Sequence, residues 1–272
     1  MSKTVEELTE KLKTNERDPE LLKELGNAYF RAGNYEKAEE AYKKSINIDP
    51  TFYKALYNLG NAYYRMEFFD KAIAAWQQAI KYKPDFDHAY FNLGYHYFQT
   101  GFMREAISML KNAAQLNPAL PDTHHYLGLA YYQTSQFENA ISEFKLAIQY
   151  DPEDPDYHYN LANTSYDMGD FETAAAEWEL TLKYRPDDSK ARNNYADALL
   201  QLEQYDKALE EINKVLKADK DYPPALCTRG EILEKLGEKD KSQEAFKYLL
   251  KVIEDKPAWD LLKKYLKGKV KP

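Results

Sequence analysis

Asparagine recurs along this chain on two ladders with a spacing of 34 residues or multiples of it. Asn58, Asn92, Asn160 and Asn194 stand on one, and Asn27, Asn61 and Asn163 on the other. A carboxamide offers one acceptor oxygen and two N–H donors, so it can pair with both the C=O and the N–H of an extended peptide. Aromatic side chains accompany the ladders at Tyr57, Phe91, Tyr95, Tyr126 and Tyr159. They would supply apolar area and hydroxyl groups for the side chains of such a peptide. This is chemistry for holding a polypeptide, with no bond broken.

Residues suited to catalysis or metal binding lack the company they need. The five histidines, His88, His96, His124, His125 and His158, fall in one stretch of the chain. No second His or carboxylate shares a turn and a face with His125 at ligand spacing, so packing and surface-lining roles are expected and no metal. Cys227 is the single cysteine. The histidine nearest to it in sequence, His158, lies two repeat periods away, on the order of 20 Å in stacked helices. No base reaches the thiol. No glycine-rich phosphate loop, paired-carboxylate cleft or nucleophile elbow occurs. The expectation is a protein that is not an enzyme and takes no cofactor.

Bulk properties exclude further classes. The formal net charge is −8, which argues against a nucleic-acid backbone as ligand, because phosphate binding needs clustered Lys and Arg. One cysteine excludes an internal disulfide and fits a reducing compartment. No apolar run is long enough for a membrane span, and the first thirteen residues do not resemble a secretory signal. A cytoplasmic location is expected.

The elements that must position the ladders are marked by proline and glycine. Pro50, Pro84, Pro118, Pro152 and Pro186 stand 34 residues apart, and Pro19, Pro121, Pro155, Pro223 and Pro257 fall on a second register. Nine of the ten glycines keep the same period. A period of this length implies stacked supersecondary units whose core grows with each repeat. Counting repeat position 1 at residues 19, 53, 87, 121, 155, 189 and 223, proline at position 1 suits the first residue of a helix, with Asp18 and Asp154 before it as caps. Position 8 is always Gly or Ala and position 20 always Ala or Ser, which lets two paired helices approach closely. Position 15 is Gly in four repeats, where a left-handed residue ends the first helix. Position 24 is bulky throughout: Tyr42, Trp76, Leu110, Phe144, Trp178, Ile212 and Phe246.

This pattern, with L-G-x-x-Y at Leu25–Tyr29, Leu59–Tyr63, Leu93–Tyr97 and Leu127–Tyr131, resembles the tetratricopeptide repeat (TPR) family. The resemblance implies an all-α, right-handed superhelical solenoid of helix-turn-helix repeats. Seven repeats are expected at 19–52, 53–86, 87–120, 121–154, 155–188, 189–222 and 223–256. A capping helix at 1–18 precedes them, opened by a Thr4–Glu7 capping box. A second cap with a basic tail follows at 257–272, where Trp259, Leu262 and Leu266 can cover the last repeat. Repeats 6 and 7 depart from the pattern at Arg192, Tyr195, Arg229, Lys220 and Glu254, so their stacking is expected to be looser.

In the family the first helices line a concave groove. Carried onto this chain, that groove holds Lys23, Asn27, Tyr57, Asn58, Asn61, Phe91, Asn92, Tyr95, His125, Tyr126, Tyr159, Asn160, Asn163 and Asn194. The resemblance implies a non-catalytic interaction module that binds an extended segment of a protein or peptide partner there. The asparagine ladder is similar to the peptide-gripping one in the repeat region of O-linked N-acetylglucosamine transferase, with Tyr126 interrupting it. A carboxylate clamp for chaperone tails is not expected, because His88 and Asn92 stand where its two cations belong. Lys23, Arg31, Lys54 and Arg65 oppose Glu20 and Glu24 at one end, whereas Asp122, Asp156, Asp167 and Asp197 follow. A ligand acidic at one end only fits that order. The tail lysines (Lys263, Lys264, Lys267, Lys269 and Lys271) are read as solvated faces of a cap rather than a membrane contact. Self-assembly into a structural scaffold is the alternative function, with exposed aromatics at Phe68, Phe69 and Phe102.

Overall fold

The computed structural model describes residues 4–270. Its described residues form sixteen α-helices and no strand. Thr4 opens α1 (Val5–Thr14): its hydroxyl accepts from the Glu7 N–H at 3.2 Å, and the Glu7 carboxylate accepts from the Thr4 N–H at 3.0 Å. Leu8 of α1 is fully buried. The chain divides into two compact units, one ending at Thr134 and the other beginning at Ser135.

The N-terminal unit continues with the pairs α2 (Pro19–Arg31) and α3 (Tyr35–Ile48), α4 (Tyr53–Arg65) and α5 (Phe69–Tyr82), and α6 (Asp87–Gln99) and α7 (Met103–Leu116). It ends with α8 (Pro121–Gln133). The C-terminal unit starts with α9 (Phe137–Tyr150), followed by the pairs α10 (Pro155–Asp167) and α11 (Phe171–Tyr184), α12 (Ser189–Gln201) and α13 (Tyr205–Ala218), and α14 (Pro223–Lys235) and α15 (Lys239–Val252). A 3₁₀ turn (Pro257–Trp259) leads into α16 (Asp260–Lys269). Every first helix begins at the residue chosen as position 1. Asp18 and Asp154 cap as expected, accepting from the N–H groups of Glu20 and Leu21 and of Asp156.

Each first helix ends on a left-handed residue at position 15. Gly33, Gly101, Gly169 and Gly237 have φ between 75° and 84°. Glu67, Ser135 and Glu203 hold the same conformation without a glycine, at φ 58–63°. The turn geometry is therefore imposed by the packed helix pair, and glycine only makes it cheaper.

Position 8 shows why a side chain is excluded. A Cβ added to Gly60 would lie 2.5 Å from the Trp76 ring, and one on Gly26 2.4 Å from that of Tyr42. The small residue thus makes room for the position-24 side chain of its own repeat, more than for the opposing backbone. Position 20 completes this core: Ala38, Ala72, Ala106, Ala140, Ala174 and Ala208 are fully buried. In the last repeat Ser242 takes the place, and its hydroxyl donates to the Gly230 carbonyl at 2.8 Å.

The two helices of repeat 6 meet less extensively than the pairs of repeats 1, 2, 3 and 5, yet its core is filled. Tyr195 is buried, in a cluster with Trp178, Leu199 and Ile212. Arg192 donates to the Pro186 carbonyl at 2.7 Å and to Glu211 at 2.6 Å. His158 makes the equivalent contacts in repeat 5, to Pro152 O at 2.9 Å and Glu177 at 2.6 Å. The arginine thus replaces a histidine without loss of contacts. Buried polar atoms with no partner among the described residues occur in repeat 6 (Asn193 Oδ1) and repeat 7 (Arg229 Nε), and equally in repeats 4 and 5 (Thr123 Oγ1, Ser165 Oγ and Trp178 Nε1).

The last helix packs on the helices before it. Leu266 is fully buried against Leu226, Phe246, Leu249 and Ile253, with Trp259 and Leu262 beside it. Two tail lysines are tied down, Lys263 to Asp260 and the Glu254 carbonyl, and Lys269 to Glu234. Lys271 lies outside the described residues.

Candidate functional site

All the groove residues expected from the sequence are half-buried, belonging neither to the core nor to the free surface. Their side chains are held mostly by one another. In the N-terminal unit, Asn27 Oδ1 accepts from Tyr42 OH at 2.8 Å and from Asn58 Nδ2 of the next repeat at 2.8 Å. One repeat on, Asn61 Oδ1 accepts from Trp76 Nε1 at 2.9 Å and from Asn92 Nδ2 at 2.7 Å. Each rung therefore joins position 9 of one repeat to position 6 of the next, with the position-24 side chain locking it from behind.

This bonding alters what the amides can offer a ligand. Asn92 also donates to Tyr57 OH at 3.2 Å, so both its N–H groups are engaged and its oxygen is what remains. Asn58 spends one N–H on Asn27 and keeps the other N–H and its oxygen. Two-point pairing with a peptide unit is thus available at Asn58, whereas Asn92 can only accept. Burial pushes the Tyr57 hydroxyl pKa up against the hydrogen bonds from Asn61 and Asn92.

Beside the second rung lies an open cleft of ≈ 410 Å³. Six expected residues line it: Tyr57, Asn61, Phe91, Asn92, Tyr95 and Tyr126. Tyr95 and Tyr126 meet edge to face at 4.8 Å, and Phe91 lies 6.0 Å from Tyr126. Phe30, Tyr64 and Trp76, not singled out from the sequence, line it too, as do Arg65 and Asp122, read from the sequence as groove charges. Phe30 and Tyr64 stand at position 12 on the first-helix face, so a full reading of that face would have found both. A smaller cleft of ≈ 200 Å³ adjoins the first rung, lined by Asn27, Phe30, Arg31, Tyr42, Asn58 and Asn61.

Other expected residues are placed differently. Lys23 is bound to Glu20 in its own turn and lies 5.8 Å from the Phe52 ring centroid. His125 packs beside Tyr126 at 5.3 Å. In the C-terminal unit, Asn194 Nδ2 approaches Tyr159 OH at 3.4 Å, and Lys190 sits over the Tyr159 ring at 5.5 Å. Asn160 and Asn163 lie on the same helix, α10, as Tyr159. Asp197 is engaged by Tyr166 OH, and Asp156 by Arg185 at 2.9 Å.

The remaining chemistry-bearing groups are structural. His124 and His158 are buried and bond the carbonyls of Pro118 and Pro152. Among the described residues no three His, Cys, Asp or Glu side chains are grouped to hold a metal ion. Burial, with Glu231 beside it, pushes the Cys227 thiol pKa up to about 12. Such a thiol carries no nucleophilic thiolate at neutral pH. Among the described residues no helix is long and apolar enough to cross a membrane.

Similarity to known proteins points to one family. The family model for the cilia and flagella-associated protein 70 C-terminal domain matches residues 2–250. No curated protein matches the chain in sequence. Among solved structures, YrrB, described as a TPR protein with an unusual peptide-binding site, is 21% identical with a TM-score of 0.60, covering 69% of this chain and 97% of its own. A tetratricopeptide repeat protein from Parabacteroides merdae is 19% identical with a TM-score of 0.59, covering 92% and 98%. PilF of Pseudomonas aeruginosa is 19% identical with a TM-score of 0.62, covering 82% and 98%. With the repeat register, the helix pairs and this match over most of its length, the chain is a tetratricopeptide repeat protein and belongs to the family of the cilia and flagella-associated protein 70 C-terminal domain.

Proposed function

We propose that this protein is a non-catalytic binding module whose first-helix face grips an extended segment of a partner protein and so assembles a complex. One observation carries the reading: the aromatic cleft of the N-terminal unit is bordered by an asparagine rung whose Asn92 oxygen no described residue uses. A peptide N–H donated to that oxygen, with an apolar side chain in the cleft, satisfies both features at once. The description of YrrB as having a peptide-binding site is consistent with such a use of the fold.

Asn58 and Asn92 also join neighbouring repeats, so truncating them has a structural cost of about 1 kcal/mol per lost bond. The test must therefore read binding and stability together. Partner segments captured by the wild-type protein should lose affinity by about tenfold or more for an Asn58→Ala, Asn92→Ala variant, measured below the melting temperature of both. Equal affinity in a folded double variant would move recognition off this face.

Self-assembly is favoured by one feature, the exposed rings of Phe68 (48%) and Phe102 (57%) at the helix turns. Concentration-dependent mass abolished by Phe102→Ser would establish it. A monomer at all concentrations would exclude it.

A further inference from the structure

Resting on the peptide-gripping reading, we propose a charge pattern for the ligand of the N-terminal unit. The segment carries one bulky apolar side chain, with acidic side chains on one side of it only. The apolar side chain enters the cleft of ≈ 410 Å³, whose walls include Tyr64, Phe91, Tyr95 and Tyr126. Arg65 borders the same cleft. It is exposed, packs over the Tyr35 ring at 5.2 Å and forms no ion pair with a described residue. One repeat earlier, Arg31 holds the same place at the smaller cleft, again exposed and without an ion pair among the described residues. At the other end the larger cleft is bordered by Asp122, one of its lining residues. Two guanidinium groups, an aromatic box and a carboxylate thus follow one another along repeats 1 to 4.

Geometry sets the spacing. First helices of successive repeats lie about 10 Å apart, close to three residues of extended chain. A carboxylate on Arg65 must therefore flank the anchored apolar side chain, and one on Arg31 stands about three residues farther out. Arginine favours this assignment over a point-charge attraction, because its fork pairs with both oxygens of a carboxylate and stacking on Tyr35 holds its plane. Lys23 does not compete for the ligand, being bound to Glu20. An acid on the Asp122 side would meet like charge and weaken binding.

The experiment is selection of a random twelve-residue peptide library, displayed with both ends linked, on the full chain. Selected sequences are then measured as acetylated, amidated peptides by fluorescence anisotropy. Asp and Glu should be enriched on one side of an aromatic or large aliphatic residue. Changing those acids to Gln should lower affinity about tenfold, and Arg65→Gln should cost as much and abolish the Glu-versus-Gln difference. Raised salt should erode the same difference. Peptides that are basic or indifferent to Arg31→Gln and Arg65→Gln, yet lost in the Asn58→Ala, Asn92→Ala variant, would overturn this pattern and leave the groove reading standing. Binding only by peptides with a free C-terminal carboxylate would overturn it in favour of terminus capture. Selected peptides indifferent to the asparagines, or no enrichment at all, would count against both.

Discussion

Repeats 2 and 5 place the same asparagine and tryptophan at positions 9 and 24, each followed by an asparagine in the next repeat, and use them differently. Repeat 2 has Asn61 and Trp76, followed by Asn92. Repeat 5 has Asn163 and Trp178, followed by Asn194. Both tryptophans pack against a position-12 tyrosine at 5.6 Å. In repeat 2 the indole N–H bonds Asn61, which also accepts from Asn92. In repeat 5 the Trp178 N–H is buried with no acceptor among the described residues, and Asn194 keeps only the bond to Tyr159 that Asn92 also makes to Tyr57. The difference at position 8 is one methyl: Gly60 against Ala162. A Cβ at residue 60 would lie 2.5 Å from both Cδ1 and Nε1 of Trp76. The glycine of repeat 2 leaves room for the Trp76 ring in the place where its N–H meets Asn61.

The largest expected effect inverts that difference. Gly60→Ala should drive the Trp76 ring from its seat at a cost of about 1–3 kcal/mol for overpacking, and should shift the tryptophan fluorescence. An unchanged denaturation midpoint would show that the ring has room to move and would break the explanation. Next in size, Asn61→Ala leaves the buried Trp76 indole and the half-buried Asn92 amide without that acceptor and should cost about 1–3 kcal/mol. Asn163→Ala should cost less than about 0.5 kcal/mol, as a substitution away from such bonds does. Equal losses at the two sites, measured by urea denaturation, would deny that the rungs differ.

The smallest effect sharpens a second contrast, His158 in repeat 5 against Arg192 in repeat 6. Burial would lower the His158 pKa, but the bonds to Glu177 and Pro152 O and the charge of Asp154 outweigh it, and the pKa is raised. The pair therefore adds its full stability below the unfolded histidine value of about 6.5 and loses it as pH rises through the folded value. An arginine side chain does not titrate in this range. His158→Arg should melt close to wild type at pH 6 and above it at pH 8. A gap that does not widen with pH would mean that His158 is neutral in the folded protein.

Much of the architecture is legible in the amino-acid sequence. Proline at position 1 marks where helices begin, and each first helix starts there, even at Tyr53, Asp87 and Ser189 where proline is absent. Position 15 predicts left-handed turns from four glycines, and the structure has seven. In repeat 6 a departure from consensus at Arg192 does not reveal the partners that compensate for it. Glu211 lies on the other helix of the repeat and Pro186 in the repeat before. The asparagines do share one surface, yet their spacing says nothing of the hydrogen bonds they make to one another. Nor does it disclose the share of Trp76, a second-helix side chain, in the cleft.

The amino-acid sequence by itself determined the period, the helix boundaries, the small and large positions of the core and the face that presents Asn and Tyr. Those are local properties, set by backbone preference and by spacing along one helix. Only the tertiary structure decided which amide oxygens remain for a ligand, which arginines keep their charge unpaired and which tryptophan finds an acceptor. Each of these turns on a few tenths of an ångström between atoms about 15 to 35 residues apart in sequence, a distance that close packing sets and residue spacing does not.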